Sequence, residues 1–185
     1  MHHRPFTAAT TAALLAGAMA CISTPAQAAL KVGDAAPAVH GTGALAGEIF
    51  DFDLAAALAQ GPVVIYFFPK AFTRGCTIEA KAFADATPHF ATRNATVVGI
   101  SHDDIETLQR FSTEACHDQF AVVSDPDART IKAYDAASLM PGVASRISYV
   151  IAPNGQIAFV HKGSDPLRHV EATWEAVQEL AADKP

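Results

Sequence analysis

Cys76 closes the run Pro69-Lys70-Ala71-Phe72-Thr73-Arg74-Gly75-Cys76, and it is the residue on which chemistry is most readily built. The run follows a continuous β-branched and aromatic stretch, Val63 to Phe68, bounded by Gly61-Pro62 and Pro69. It leads into Ile78, Ala80, Ala82, Phe83, Ala86 and Phe90, which share one face at helical spacing. Cys76 therefore falls where a buried strand gives way to a helix, and ligand and catalytic sites of open α/β sheets collect at such strand ends. A cysteine in the first turn of a helix faces unpaired backbone N–H groups and the positive end of the macrodipole. Both favour thiolate over thiol, and thiolate is the reactive species. Thr73 lies one helical turn before Cys76, close enough for its hydroxyl to reach the sulfur or an oxygen bound there. Pro69 ends the strand without an N–H and can shield the sulfur from water. A cation that would stabilise charge on a leaving group must come from elsewhere in the chain.

The elements that position these residues can be read in order. Leu30 to Asp53, rich in Gly, Ala and Asp, reads as a leading loop with short strands. After the Val63 strand and the Cys76 helix come a second buried strand over Thr96 to Ile100, a helix over Asp103 to Cys116 and a strand over Ala121 to Val123. A short helix over Ala128 to Tyr134 follows. Pro153-Asn154-Gly155 between Ile147–Ala152 and Ile157–Val160 is a hairpin signal. The last helix runs over Leu167 to Ala181, with Val170, Trp174, Val177 and Leu180 as one stripe. Helices alternating with buried strands predict a partly parallel sheet, and the hairpin adds antiparallel strands. The expected fold is α/β: a central mixed sheet flanked by helices, thioredoxin-like in element order.

The chain has 185 residues, half of them hydrophobic, which suits one well-buried domain. Its formal net charge of −6 and its lack of any Lys/Arg-rich run argue against a nucleic-acid partner. Residues 1–28 have the three-part layout of an export signal. His2, His3 and Arg4 open it, Ala8 to Ile22 is apolar and uncharged, and Ala26-Gln27-Ala28 is an A-x-A cleavage pattern. The apolar run is short for a membrane span, and Ala18-Met19-Ala20 lacks the leucine that would make Cys21 a lipidation site. The expected mature domain is 29–185, exported and periplasmic in a Gram-negative host, with no stable membrane association. Two mature cysteines remain, Cys76 and Cys116, and in an exported protein they read either as a structural disulfide or as a redox pair. The histidines from His40 to His169 have no metal-ligand spacing, so no metal or other cofactor is expected.

Pro69-x-x-x-Thr73-x-x-Cys76 matches the active-site pattern of the peroxiredoxins, P-x-x-x-T/S-x-x-C. Tyr66-Phe67-Phe68-Pro69-Lys70 and Gly75-Cys76-Thr77-x-Glu79-Ala80 resemble the bacterioferritin comigratory protein, or PrxQ, branch, and the resemblance extends from about Val32 into the last helix. It implies a thioredoxin-like fold and a thiol peroxidase acting in antioxidant defence. Cys76 would attack hydrogen peroxide or an organic hydroperoxide, and a thioredoxin-like or small-thiol reductant would recycle it. It also implies that Arg146, just before Ile147-Ser148-Tyr149-Val150-Ile151, supplies the missing cation, and that Glu79 orients it. Such relatives are monomers or weak dimers. The branch often places a resolving cysteine five residues after the nucleophile, but Lys81 stands there. Cys116 is then either the resolving partner, requiring its helix to unwind or shift, or a core residue in a one-cysteine mechanism with an outside thiol.

Two other functions are weaker fits. A thioredoxin-fold disulfide oxidoreductase needs C-x-x-C, whereas Thr73 and Glu79 occupy the positions three before and three after Cys76. A non-catalytic binding module would have no use for Pro69, Thr73, Cys76 and Arg146 together.

Overall fold

A computed structural model describes residues 30–182, so the expected export signal, with Cys21, lies outside the described residues. A hairpin opens the fold, β1 (His40–Leu45) and β2 (Glu48–Asp53). It is followed by α1 (Leu54–Leu58), β3 (Val63–Phe67), α2 (Arg74–Ala91), β4 (Thr96–Ser101), α3 (Ile105–Glu114) and β5 (Ala121–Ser124). The remaining elements are α4 (Arg129–Ala133), β6 (Ile147–Ile151), β7 (Ile157–Lys162) and α5 (Pro166–Ala182). The seven strands form one mixed sheet in the order β2-β1-β5-β4-β3-β6-β7.

The expected α/β architecture holds, with two adjustments. Helix α1 is an addition to the expected elements, five residues long, and its N-cap Asp53 accepts a hydrogen bond from the Ala56 N–H at 3.0 Å. The helix expected to reach Cys116 ends at Glu114, because His117 and Asp118 turn the chain through left-handed backbone, φ 49° and 62°. Cys116 therefore sits in a turn beyond the helix.

Strand β3 explains the fold's centre. All five of its residues are buried, since β4 lies parallel on one side, β6 antiparallel on the other and helices cover both faces. Val64, Tyr66 and Phe68 point into the core under α2, α3 and α5. Val63, Ile65 and Phe67 point to the other side, with Leu54 of α1 and Ile131 of α4. The parallel trio β3, β4 and β5 ends along one edge, and the loops there carry Pro69 to Thr73 and His102 to Asp104.

Gly99 shows how tightly the first core is filled. A Cβ there would lie 2.8 Å from Tyr66 Cζ and 2.9 Å from Tyr66 Oη. The Tyr66 ring cannot swing away, because it stacks on Phe83 at 4.5 Å and is itself buried. Gly99→Ala gains roughly 0.5–1 kcal/mol of backbone entropy. The overpacking costs about 1–3 kcal/mol and should win. Urea unfolding of the variant is expected to show a net loss of stability, whereas Tyr66→Phe, which deletes a buried hydroxyl with no partner, should be neutral or stabilising. Equal stability of Gly99→Ala and wild type would refute this account of the packing.

Candidate active site

The site is built where β3 passes into α2. Phe68 still belongs to the sheet, its N–H donating to the Ile100 carbonyl at 3.1 Å. Pro69 to Thr73 then form a loop pinned from β4: the Asp103 carboxylate accepts the Ala71 N–H at 2.8 Å and the Ser101 hydroxyl at 2.9 Å. Phe72 takes left-handed backbone at φ 62°, a strained choice for an aromatic residue. Its half-open ring packs edge-on against Phe111 and lies under the Arg110 guanidinium. Asp103 and Phe72 were not singled out in the sequence. Asp103 is joined to this loop across 32 positions, and only the fold brings them together.

Helix α2 begins at Arg74, and the first helical amide to find a carbonyl is that of Thr77, which donates to Thr73 at 2.9 Å. Cys76, third in the helix, thus lies among amides that have no helical acceptor. Thr73 holds the N-cap position, but its hydroxyl makes no cap; it donates to the Lys70 carbonyl at 2.9 Å and so braces the loop that leads into the Cys76 turn. Pro69 stands as expected at the strand's end. With Arg146 and Lys162 it lines a shallow groove of about 410 Å³ that also takes in Ser145, Gly163 and Ser164.

The missing cation is in place. Arg146 precedes β6, which pairs with β3, and this brings residue 146 beside residue 76 across 70 positions. Its Nη2–H points at Cys76 Sγ, 3.5 Å away, while Nη1 donates to Glu79 Oε2. Gly75 makes room, since a Cβ there would come within 3.2 Å of Arg146 Nη2. Glu79 is fully buried, with its second oxygen unpartnered. Burial pushes its carboxyl up to about 8, against the pull of the guanidinium. Glu79 Oε2 therefore fixes the fork of Arg146 by accepting from Nη1, which leaves Nη2 and the guanidinium charge for the sulfur and whatever approaches it.

Cys116 is different in kind. Both cysteines are buried in one core and unbonded to each other, but Cys116 sits in the turn beyond α3, away from the helix start and the guanidinium that flank Cys76. Burial pushes the Cys116 thiol strongly up, and Asp118 adds to the effect. No cluster of three metal-ligating side chains occurs among the described residues.

Comparison with known proteins agrees with this geometry. The AhpC/TSA family profile matches residues 32–160. The chain belongs to the AhpC/TSA family. Among curated AhpC/TSA relatives, it is 34% identical to peroxiredoxin Q of Sedum lineare chloroplasts over 121 residues, 64% of either chain. It is 39% identical to a putative peroxiredoxin of Helicobacter pylori over 79 residues, 43% of this chain and 51% of that one. The chain thus spans under two thirds of these relatives. Solved structures match at greater length. BcpB of Mycobacterium tuberculosis superposes with a TM-score of 0.73 at 26% identity, covering 84% of this chain and 99% of that one. The bacterioferritin comigratory protein of Xanthomonas campestris gives 0.67 at 28% identity, covering 76% and 91%. The fold is the thioredoxin-like fold of the AhpC/TSA peroxiredoxins.

Proposed function

We propose that the chain is a thiol peroxidase of the PrxQ type that reduces hydrogen peroxide and organic hydroperoxides through Cys76. The observation that carries this reading is the Arg146 guanidinium, 3.5 Å from a helix-start sulfur and forked onto a buried glutamate. The Cys76 thiolate attacks the terminal oxygen of R–O–O–H. A sulfur–oxygen bond forms, the O–O bond breaks, and the leaving RO⁻ takes up a proton to become water or an alcohol. Arg146 and the free amides of the first α2 turn stabilise the negative charge as it moves from sulfur to oxygen. The xanthomonad relative was studied for alkyl peroxide reduction, which supports the organic substrate class. Within this reading the protein serves antioxidant defence.

The sulfenic acid left on Cys76 condenses with a thiol, releasing water, and a thioredoxin-like dithiol reopens the resulting disulfide. An outside thiol takes this step, because Cys116 sits on another element with no bond to Cys76, and burial with the neighbouring Asp118 disfavours its thiolate. Stopped-flow titration with hydrogen peroxide is expected to consume one thiol per molecule rapidly and to leave Cys116 reduced, and Cys116→Ser should react at the same rate. Slow reaction at free-thiol rates refutes the peroxidase. Fast reaction ending in a Cys76–Cys116 disulfide refutes the outside thiol only.

Export to the periplasm is part of the same proposal, supported by the Ala26-Gln27-Ala28 pattern. The purified periplasmic protein should begin at Ala29, and an intact Met1 on it would count against export.

A further inference from the structure

A closed ring of hydrogen bonds stands behind Arg146. The Arg146 carbonyl accepts the Gly163 N–H at 3.5 Å. The Gly163 carbonyl lies 3.1 Å from His169 Nε2, and His169 Nδ1 lies 2.8 Å from the Ser148 hydroxyl. Ser148 lies in β6, two residues beyond Arg146 in the chain, which closes the circuit. A carbonyl can only accept, so Nε2 carries the proton; in the neutral ring Nδ1 then accepts from Ser148. Ser148 and His169 are both fully buried. Neither belongs to the peroxide chemistry above. Few buried polar groups are kept without a task, because each loses its solvation and must be matched.

We propose that His169 is a positioning residue for Arg146: its neutral imidazole ties α5 to both sides of residue 146, through Ser148 and through Gly163, and its protonation loosens the guanidinium from Cys76. The groups around it fit that role. From β7, the His161 ring packs against it at 4.5 Å, and Gly163 has no side chain to intrude, since a Cβ there would lie 3.2 Å from His161 Nε2. From just before β6 comes the positive Arg146, and from just before α5 the negative Asp165. Helix α2, also packed on α5, carries Glu79, held by Arg146, and His89, which lies against Trp174. Burial above all drives the ring down to about 4, with His161 and Arg146 acting the same way against the Gly163 bond and Asp165. A second positive charge here would repel the guanidinium that the site needs.

The inference rests on Cys76 being a peroxide-reactive thiolate, and one experiment separates the two. Rate constants of Cys76 with hydrogen peroxide and with iodoacetamide are measured in wild type, His169→Ala, His169→Gln and Ser148→Ala. Iodoacetamide needs the thiolate but not the aligned guanidinium, so the ratio of the rates reports Arg146 placement. Displacements of about an ångström at remote support cost on the order of 10²-fold, so His169→Ala should lower the ratio about 10–100-fold. His169→Gln, which keeps an N–H for Gly163, should recover part of it. The wild-type ratio should also fall as pH drops from about 5 to 4, and the Gln variant should not follow. Should His169→Ala fail to fold, Ser148→Ala and the ¹⁵N shifts of the wild-type ring carry the test. A ring protonated on Nδ1, or charged at pH 7, overturns the proposal. So does an unchanged ratio in folded His169→Ala or Ser148→Ala. A wild-type ratio no better than that of a free thiol overturns the peroxidase reading itself, and the inference with it.

Discussion

Cys76→Ser is expected to consume hydrogen peroxide at the buffer's own rate while remaining folded. Serine keeps the size and the first-turn position, and its hydroxyl can still accept the Arg146 Nη2–H that now reaches the sulfur. What it lacks is an accessible anion: a serine hydroxyl stays protonated without a strong adjacent base, and no base lies against residue 76 to remove its proton. Stability should change by about 1 kcal/mol, the scale of one modified hydrogen bond. Cys116→Ser should behave in the opposite way. It places a hydroxyl in a fully buried position within the hydrophobic core, costing about 1–3 kcal/mol, yet it leaves the chemistry intact. Thermal melts and peroxide consumption, measured on both variants, test this crossing pattern. Rapid consumption by Cys76→Ser would move the active sulfur to residue 116, and the account of the site would fail.

The contrast between those two cysteines also marks how far the sequence could be read. Cys76 was legible because its chemistry is local: strand, loop and helix start follow one another within a dozen residues, and their periodicities give each away. Arg146 has no local signal. It precedes an ordinary buried strand, and only the peroxiredoxin resemblance singled it out; the sheet then supplies the physical reason, since β6 pairs with β3. Thr73 was half legible. Its place at the helix N-cap is readable, but the partner of its hydroxyl, the Lys70 carbonyl, depends on the loop's path and leaves no periodic trace. Asp103, Gly99, Ser148 and His169 were invisible for a common reason. Each matters through a partner distant in the chain, and a hydrogen bond or a missing Cβ leaves no periodic trace. Helix α1 does carry a local signal: Asp53 ahead of Leu54-Ala55-Ala56-Ala57-Leu58 is a capping residue before good helix formers.

Arg146→Ala should slow peroxide reduction by about 10²–10³-fold, the loss typical of removing one preorganised donor from a developing oxyanion. Alkylation of Cys76 by iodoacetamide should fall far less, because that reaction builds no charge on an oxygen. The variant also strands Glu79. Breaking a buried pair usually costs about 3–5 kcal/mol, but burial already pushes this carboxyl up to about 8 against the pull of Arg146, so without the guanidinium it moves higher still and at neutral pH escapes most of the penalty by taking a proton. The sign follows from that shift. The folded variant binds the proton more tightly than the unfolded chain, so its stability should decline as pH rises from about 4.5 toward and beyond 8. Adding Glu79→Gln should flatten this decline without restoring the rate. Arg146→Lys should keep the charge yet recover only part of the loss, since an ammonium cannot fork to a carboxylate and a sulfur in fixed directions. If the double variant regained peroxide activity, the guanidinium would be serving only to neutralise Glu79. If lysine restored it fully, charge alone would suffice and the two-pronged geometry from Glu79 to Cys76 would have no catalytic meaning.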